Sequence, residues 1–285
     1  MLSVVIPIES DVFDPGHFCE RLIGLFEGHG EAFEIILVAD GVGEPGQWAA
    51  SRRDARLRIL RLDGRFGRAP ALTAGFRAAR GDIVVTLPSD GRGNPADAVR
   101  LLAPFRDERV AAVCGRRKPS GRRSLSSRAI DVLVARLSGG PVRDTGCGLQ
   151  AYRRCALPDV QLPTGMDRLL PAALGIAPEA VVEVAVDFHD EPPSSRSGRA
   201  RVALLRALPS LPFLAREPRR AEIHFALATA AAAACGAAIM ESSRTVMVAF
   251  DLLAILLAVL WRSLRRFNRA QDDGVYRLRE DAEAN

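Results

Sequence analysis

Lysine is almost missing from this 285-residue chain: Lys118 is the sole example, and the basic charge that gives a net +5 and a pI near 9.3 is arginine. Aromatic residues make up 6% of the chain and do not alternate with the basic ones, and no helix reads as a basic recognition face, so nucleic acid is not the expected partner. Cysteine is equally uninformative as a framework. Cys19, Cys114, Cys147, Cys155 and Cys235 are odd in number, scattered and free of any Cys-x-x-Cys pair, which argues against disulfides and structural zinc and for a reducing compartment. His17, His29, His189 and His224 are too dispersed to form a metal cluster. Gly41-Val-Gly43 has neither the third glycine nor the following helix of a dinucleotide fingerprint. The opening run from Met1 to Ile8 lacks a basic leader and a small-residue cleavage site, so it reads as a strand, and the globular part is expected in the cytosol.

What is present is an alternation of β-branched runs and helical periodicity. Ser3 to Ile8, Glu34 to Asp40, Arg58 to Leu62, Asp82 to Leu87, Val110 to Cys114 and Val181 to Val186 read as strands. Phe18, Leu22, Leu25 and Phe26 share one helix face, as do Leu72, Phe76 and Ala79, and further on Ile130, Leu133, Val134 and Leu137. Strands apolar throughout and separated by helices predict an α/β fold, a mostly parallel sheet with helices on both faces. Ligands then bind beyond the carboxyl ends of the strands, where Asp40 and Asp90 fall. The stretch from Gly115 to Arg123 reads as a loop free to bind, and Asp190 to Arg201 as a second basic loop.

The length suits one catalytic-size domain and an appendage. Residues 1–205 are expected to form the domain, 206–221 a basic linker, 222–262 a two-helix hydrophobic hairpin and 263–285 a polar tail. Phe225 to Met240 carries no charge, and Thr245 to Trp261 carries only Asp251. Arg216, Arg219 and Arg220 before the pair and Arg262, Arg265, Arg266 and Arg269 after it give the charge pattern of a membrane hairpin with both ends in the cytosol. Both segments are a little short for a span of about 30 Å, and Asp251 would cost about 2.5 to 3.5 kcal/mol at mid-membrane. A soluble, dimer-forming helical hairpin is the other reading.

Several ordered blocks resemble the polyprenyl-phosphate, dolichyl-phosphate mannose synthase-like subgroup of the family 2 glycosyltransferases over nearly all of residues 3–201. They are Ser3-Val-Val-Ile-Pro-Ile8, Glu34-Ile-Ile-Leu-Val-Ala-Asp-Gly41, the glycine-rich Gly67 to Gly81, Asp82-Ile-Val-Val-Thr-Leu-Pro-Ser-Asp90 followed by Pro95, Arg143-Asp-Thr-Gly-Cys-Gly-Leu-Gln-Ala-Tyr-Arg-Arg154, and Gly165-Met-Asp-Arg168. The resemblance implies a GT-A fold and sugar transfer from a nucleoside diphosphate sugar to a polyprenyl phosphate at the cytoplasmic face of an inner membrane. It also implies site roles. Pro7, Asp40, Ser89, Asp90 and Arg92 would line the nucleotide-sugar site, with Asp40 against base or ribose and Asp90 holding Mg2+ or Mn2+ on the diphosphate. Asp144 would face the sugar or the attacking phosphate, and Asp90 and Asp144 are the implied catalytic pair. Arg117, Arg123 and Ser127, with Arg196 and Arg201, would bind the acceptor phosphate, for which guanidinium forks are suited. Plainer readings remain open for each: solvated acids at strand ends, a turn carboxylate at Asp144, a solvated basic face. Ala39, Pro88, Arg92 and Asp167 depart from the family's acids, amide and histidine, and with Pro88 and Arg92 two of three expected metal ligands are gone. A transferase less dependent on metal and a silent nucleotide-sugar-binding membrane scaffold both follow from them, and a soluble glycosyltransferase with a non-lipid acceptor follows from the dimer-forming hairpin.

Overall fold

The computed structural model describes residues 1–9, 15–41, 54–89, 94–118, 144, 147–157, 159, 161–162, 167 and 170–187, together with isolated positions between 228 and 278. Among the described residues seven strands form one sheet: β1 (Leu2–Ile8), β2 (Phe33–Asp40), β3 (Leu57–Leu62), β4 (Ile83–Thr86), β5 (Ala112–Arg117), β6 (Gln150–Arg153) and β7 (Val181–Val186), in the order β3-β2-β1-β4-β6-β5-β7. All neighbours run parallel except β6, which is antiparallel to both β4 and β5. The α/β sheet is thus mostly parallel, as the sequence predicts. Six strands lie where they were expected, while β6 was not anticipated and β5 runs three residues past Cys114.

Successive side chains of a strand point to opposite faces, and both faces are covered. Val4, Ile6, Ile8, Ile35 and Leu37 lie in one buried layer with Phe18, Leu22 and Phe26 of helix α1 (Pro15–His29), and with Ala98 of the short helix α3 (Ala96–Arg100). Val5, Ile36, Val38 and Val84 turn the other way, onto Ala71, Leu72 and Ala74 of α2 (Arg68–Ala78) and Leu170 of α4 (Leu170–Ala173). The α1 and α2 stripes are those read from the sequence. Helix α2 sits close on the sheet because Gly75 has no side chain; a Cβ there would collide with the Val5 side chain. The stripe at Ile130 to Leu137 and most of the hydrophobic hairpin lie outside the described residues. Among the described residues no helix is long and apolar enough to cross a membrane.

The amino edge of the sheet is held by a buried carboxylate. Glu34 accepts from Ser3 Oγ at 2.7 Å, Arg58 Nη1 at 2.8 Å and the Arg80 N–H at 2.7 Å, and Ser3 Oγ in turn accepts from the Gly81 N–H at 2.8 Å. Burial pushes the Glu34 pKa up, but the Ser3, Arg58 and Arg80 bonds outweigh it and the net direction is down from 4.5. A carboxylate with a lowered folded pKa stabilises the fold above its ordinary value and loses that contribution as pH falls through the folded one. Glu34→Gln is therefore expected to cost about 1 to 3 kcal/mol at pH 7. In urea unfolding, that deficit should shrink steadily below pH 4.5; a deficit independent of pH would contradict this account.

Candidate active site

Strand order reverses between β1 and β4: β2 and β3 extend the sheet to one side, and β4, β6, β5 and β7 to the other. A crevice opens at such a switch point beyond the carboxyl ends of the strands. Pro7 contributes to it here. The β1–β4 ladder ends at Val5 opposite Thr86, with a last bond from the Leu87 N–H to the Val5 carbonyl at 3.1 Å. Pro7 has no N–H with which to continue on that side, whereas β1 stays paired with β2 as far as Ile8 and Ala39. The chain beyond β4 leads through Pro88 to Ser89 at the mouth of this gap; Asp90 and Arg92 lie outside the described residues.

Asp40 ends β2 and is buried, with 3% of its surface exposed. Its two carboxylate oxygens accept from consecutive backbone groups, Phe66 N–H at 2.6 Å and Gly67 N–H at 2.7 Å. The acid thereby fixes the turn between β3 and α2. Gly41 follows with φ +59, and a Cβ there would come within 2.6 Å of the Arg65 backbone nitrogen, so the approach of the two loops requires glycine. Arg65 Nε closes the contact by donating to the Gly41 carbonyl at 3.2 Å.

The turn reaches the other half of the sheet. Arg68 Nη2 donates to the Gly148 carbonyl at 3.2 Å, and Thr86 Oγ1 donates to the same carbonyl at 3.0 Å. Gly148 belongs to the segment that enters β6. Because β6 runs against its neighbours, this segment arrives at the same edge as the carboxyl ends of β1, β2 and β4. Asp144 is on it, fully buried, and its carbonyl accepts from the Cys147 N–H at 3.3 Å. The Asp144 carboxylate is gripped by Arg117: Nη2 donates to Oδ1 at 2.6 Å, Nε to Oδ2 at 2.8 Å and the backbone N–H to Oδ2 at 3.0 Å.

This corrects one expectation. Arg117 was read inside a free loop, but it is the last residue of β5, and its fork faces a carboxylate of its own chain. The reason is the two-sided match of guanidinium and carboxylate, which outcompetes water for a buried acid.

A second ionic group flanks the first and was not read from the sequence. Asp97, 1% exposed, accepts from Arg100 Nη1 at 2.6 Å and from the Asp187 N–H at 2.6 Å. Lys118 Nζ pairs with Asp187 Oδ1 at 2.8 Å, and the Asp187 carbonyl accepts from the Asn94 N–H at 3.4 Å. The carboxyl ends of β5 and β7 are thereby tied to the segment that follows β4. The only forecast available in the letters was Asn94-Pro95, a helix-opening pair, whose Asn94 Oδ1 accepts from the Ala96 N–H at 3.1 Å.

Two thiols lie beside the site and are inert. Burial pushes Cys147 up to about 12, and it pushes Cys114 up as well. Both are thiols at neutral pH, so neither serves there as a nucleophilic thiolate.

Asp40, Asp144, Arg117, Pro7 and Ser89 therefore share one edge, the first two joined through Gly67, Arg68, Gly148 and Cys147. Arg123, Ser127, Arg196 and Arg201 lie outside the described residues, as does Asp90. Among the described residues no group of three or more His, Cys, Asp or Glu stands together. Pro88 brings no ligating side chain, Asp40 is engaged by N–H groups and Asp144 by Arg117, so the described residues do not fit a divalent cation site.

Residues 17–138 match the family model described as Glycosyl transferase family 2. The chain is similar to a dodecaprenyl-phosphate galacturonate synthase of Rhizobium johnstonii, at 29% identity over 66% of this chain and 59% of that protein. It is also similar to an undecaprenyl-phosphate 4-deoxy-4-formamido-L-arabinose transferase of Pseudomonas paraeruginosa, at 33% identity over 54% of this chain and 47% of that one. The chain thus spans about half to three fifths of the length of these relatives. Among solved structures, glucosyl-3-phosphoglycerate synthase of Mycobacterium tuberculosis, in complex with Mn2+, UDP and glucosyl-3-phosphoglycerate, superposes with a TM-score of 0.54 at 20% identity, covering 73% of this chain and 78% of that one. That likeness establishes a GT-A-like, mostly parallel sheet.

Proposed function

We propose that the chain transfers a sugar from a nucleoside diphosphate sugar to a polyprenyl phosphate at the cytoplasmic face of an inner membrane. One observation carries the reading: Asp40 and the Asp144–Arg117 pair stand on the same edge of the sheet, in a chain whose relatives are named for polyprenyl-phosphate sugar transfer. In this reading the Asp40 turn receives the nucleotide, Pro7, Ser89, Asp90 and Arg92 line the donor, and Arg123, Ser127, Arg196 and Arg201 neutralise the acceptor phosphate. Arg117 joins them through its hold on Asp144. The acceptor's phosphate oxygen forms the new bond to the anomeric carbon while the bond from that carbon to the diphosphate breaks, and the diphosphate leaves with the electron pair. Inversion at the sugar follows. A phosphate monoester is already largely ionised near neutrality, its second pKa being about 6, so no strong general base is needed. Positioning and fixed charge supply the rate.

Residues 1–205 form the transferase unit in this reading, 206–221 a basic juxtamembrane linker, 222–262 a membrane hairpin and 263–285 a tail. Mg2+ or Mn2+ would neutralise the diphosphate from Asp90. With Pro88 and Arg92 in place of two expected ligands, Arg92 takes over part of that charge.

The test is incubation of membranes holding the chain with a panel of labelled nucleotide sugars and a polyprenyl phosphate, with and without chelator. Labelled polyprenyl-phosphate sugar is the expected product. Asp90→Asn is expected to lower its formation at least about 100-fold without shifting the unfolding midpoint. A second reading, a silent nucleotide-sugar-binding scaffold, is favoured by Pro88; nucleotide binding without product from any sugar would select it.

A further inference from the structure

Strand β3 is the outer strand of the sheet, paired with β2 on one side only. Its residues from Leu57 to Arg61 are half-buried, but Leu62 is 4% exposed. An antiparallel bridge at that point joins Leu62 to Leu278, far along the polar tail and beyond the hydrophobic segments. Leu62 is also the residue in register with Asp40. Five residues further on is Gly67, whose N–H binds the Asp40 carboxylate.

We propose that the tail around Leu278 is a built-in edge partner for β3, and that its pairing holds the Asp40 turn in place for the nucleotide. The open side of an edge strand presents unpaired N–H and C=O groups, and an extended segment satisfies them by strand addition. The tail's sequence suits that role, since Tyr276 and Leu278 alternate with Arg277 and Arg279 in the period of a strand. The occupant is the chain's own tail, because the bridge is made within one chain. Pairing at Leu62 fixes the start of the loop that delivers the Phe66 and Gly67 N–H groups to Asp40. Whatever acts on the tail or on the segments before it then acts on the donor side of the site. The coupling rests on the proposed nucleotide role of the Asp40 turn, whereas the pairing does not.

Hydrogen–deuterium exchange on the full chain, on Leu278→Pro and on a chain ending at Asp273 reads the pairing directly. Proline removes the N–H and restricts φ, and loss of one to two edge bonds is expected to accelerate exchange in peptides covering residues 57–62 by about ten-fold in both variants. The Kd for a nucleoside diphosphate, read by calorimetry, is expected to rise several-fold in the same two. Unchanged exchange overturns the pairing, as does protection that grows with protein concentration, which would make the occupant a second copy. Faster exchange with an unchanged Kd overturns the coupling. If the unaltered chain binds no nucleoside diphosphate, the proposed function fails, while exchange still decides the pairing.

Discussion

Arg117→Ala is expected to lower the stability of the chain by about 3 to 5 kcal/mol, the range found when one member of a buried ion pair is removed, and to abolish sugar transfer. Asp144 has no exposed surface, and its carboxylate receives two bonds from the guanidinium and one from the Arg117 backbone. Alanine keeps the backbone bond and takes both guanidinium bonds away from a buried anion. At about 2 to 4 °C per kcal/mol for a domain of this size, thermal melting followed by circular dichroism should show a fall of roughly 10 °C. Arg117→Lys keeps the charge but not the fork, and should fall between the two. Asp144→Asn separates the roles. Its amide stays within reach of the Arg117 backbone N–H and leaves a guanidinium that is 27% exposed and able to turn outward, so it should cost less stability than Arg117→Ala. Transfer should nevertheless be lost, because the buried charge is gone. If Arg117→Ala melts like the unaltered chain, the Asp144 pair is not what holds this corner of the sheet.

Asp40→Ala carries the second large effect. Two adjacent N–H groups lose the carboxylate that accepts from them, and each bond to a charged group is worth about 1.5 to 3 kcal/mol, so a loss of about 2 to 4 kcal/mol is expected with partial compensation by water. Affinity for the nucleoside diphosphate should fall by about 100-fold, equivalent to about 2.8 kcal/mol, as the turn that starts α2 moves. Asp40→Asn retains one acceptor oxygen and should recover part of both losses. Calorimetric titration with the nucleoside diphosphate, beside urea unfolding of the same variants, separates the two. A variant that unfolds early yet binds as tightly as the unaltered chain would make Asp40 a purely structural acid.

The letters made the sheet legible because its strands are apolar on both faces and bounded by turn residues, a pattern that survives without any knowledge of partners. They made α1 and α2 legible through stripes such as Phe18, Leu22 and Phe26. Strand β6 was illegible for a physical reason: four residues, Gln150 to Arg153, are too few for periodicity, and their direction depends on being held between β4 and β5. Asp40 and Asp144 could be named as site residues from ordered blocks, but not what they touch. That Asp40 holds two N–H groups and Asp144 a guanidinium depends on loops converging from distant parts of the chain. The Asp97–Asp187 contact spans 90 positions, and neither residue stands in a pattern that marks it.

The reversed strand has an evolutionary consequence. Gln150 sits opposite Thr86 on one side and Cys114 on the other, so the excursion that leaves β5 and returns to β6 begins and ends on fixed posts. In the proposed reading, replacing the stretch between those posts leaves the Asp40 turn on the other side of the sheet in place. On that reading, a lineage trades one acceptor for another by editing one stretch of chain while the scaffold beneath it is inherited unchanged.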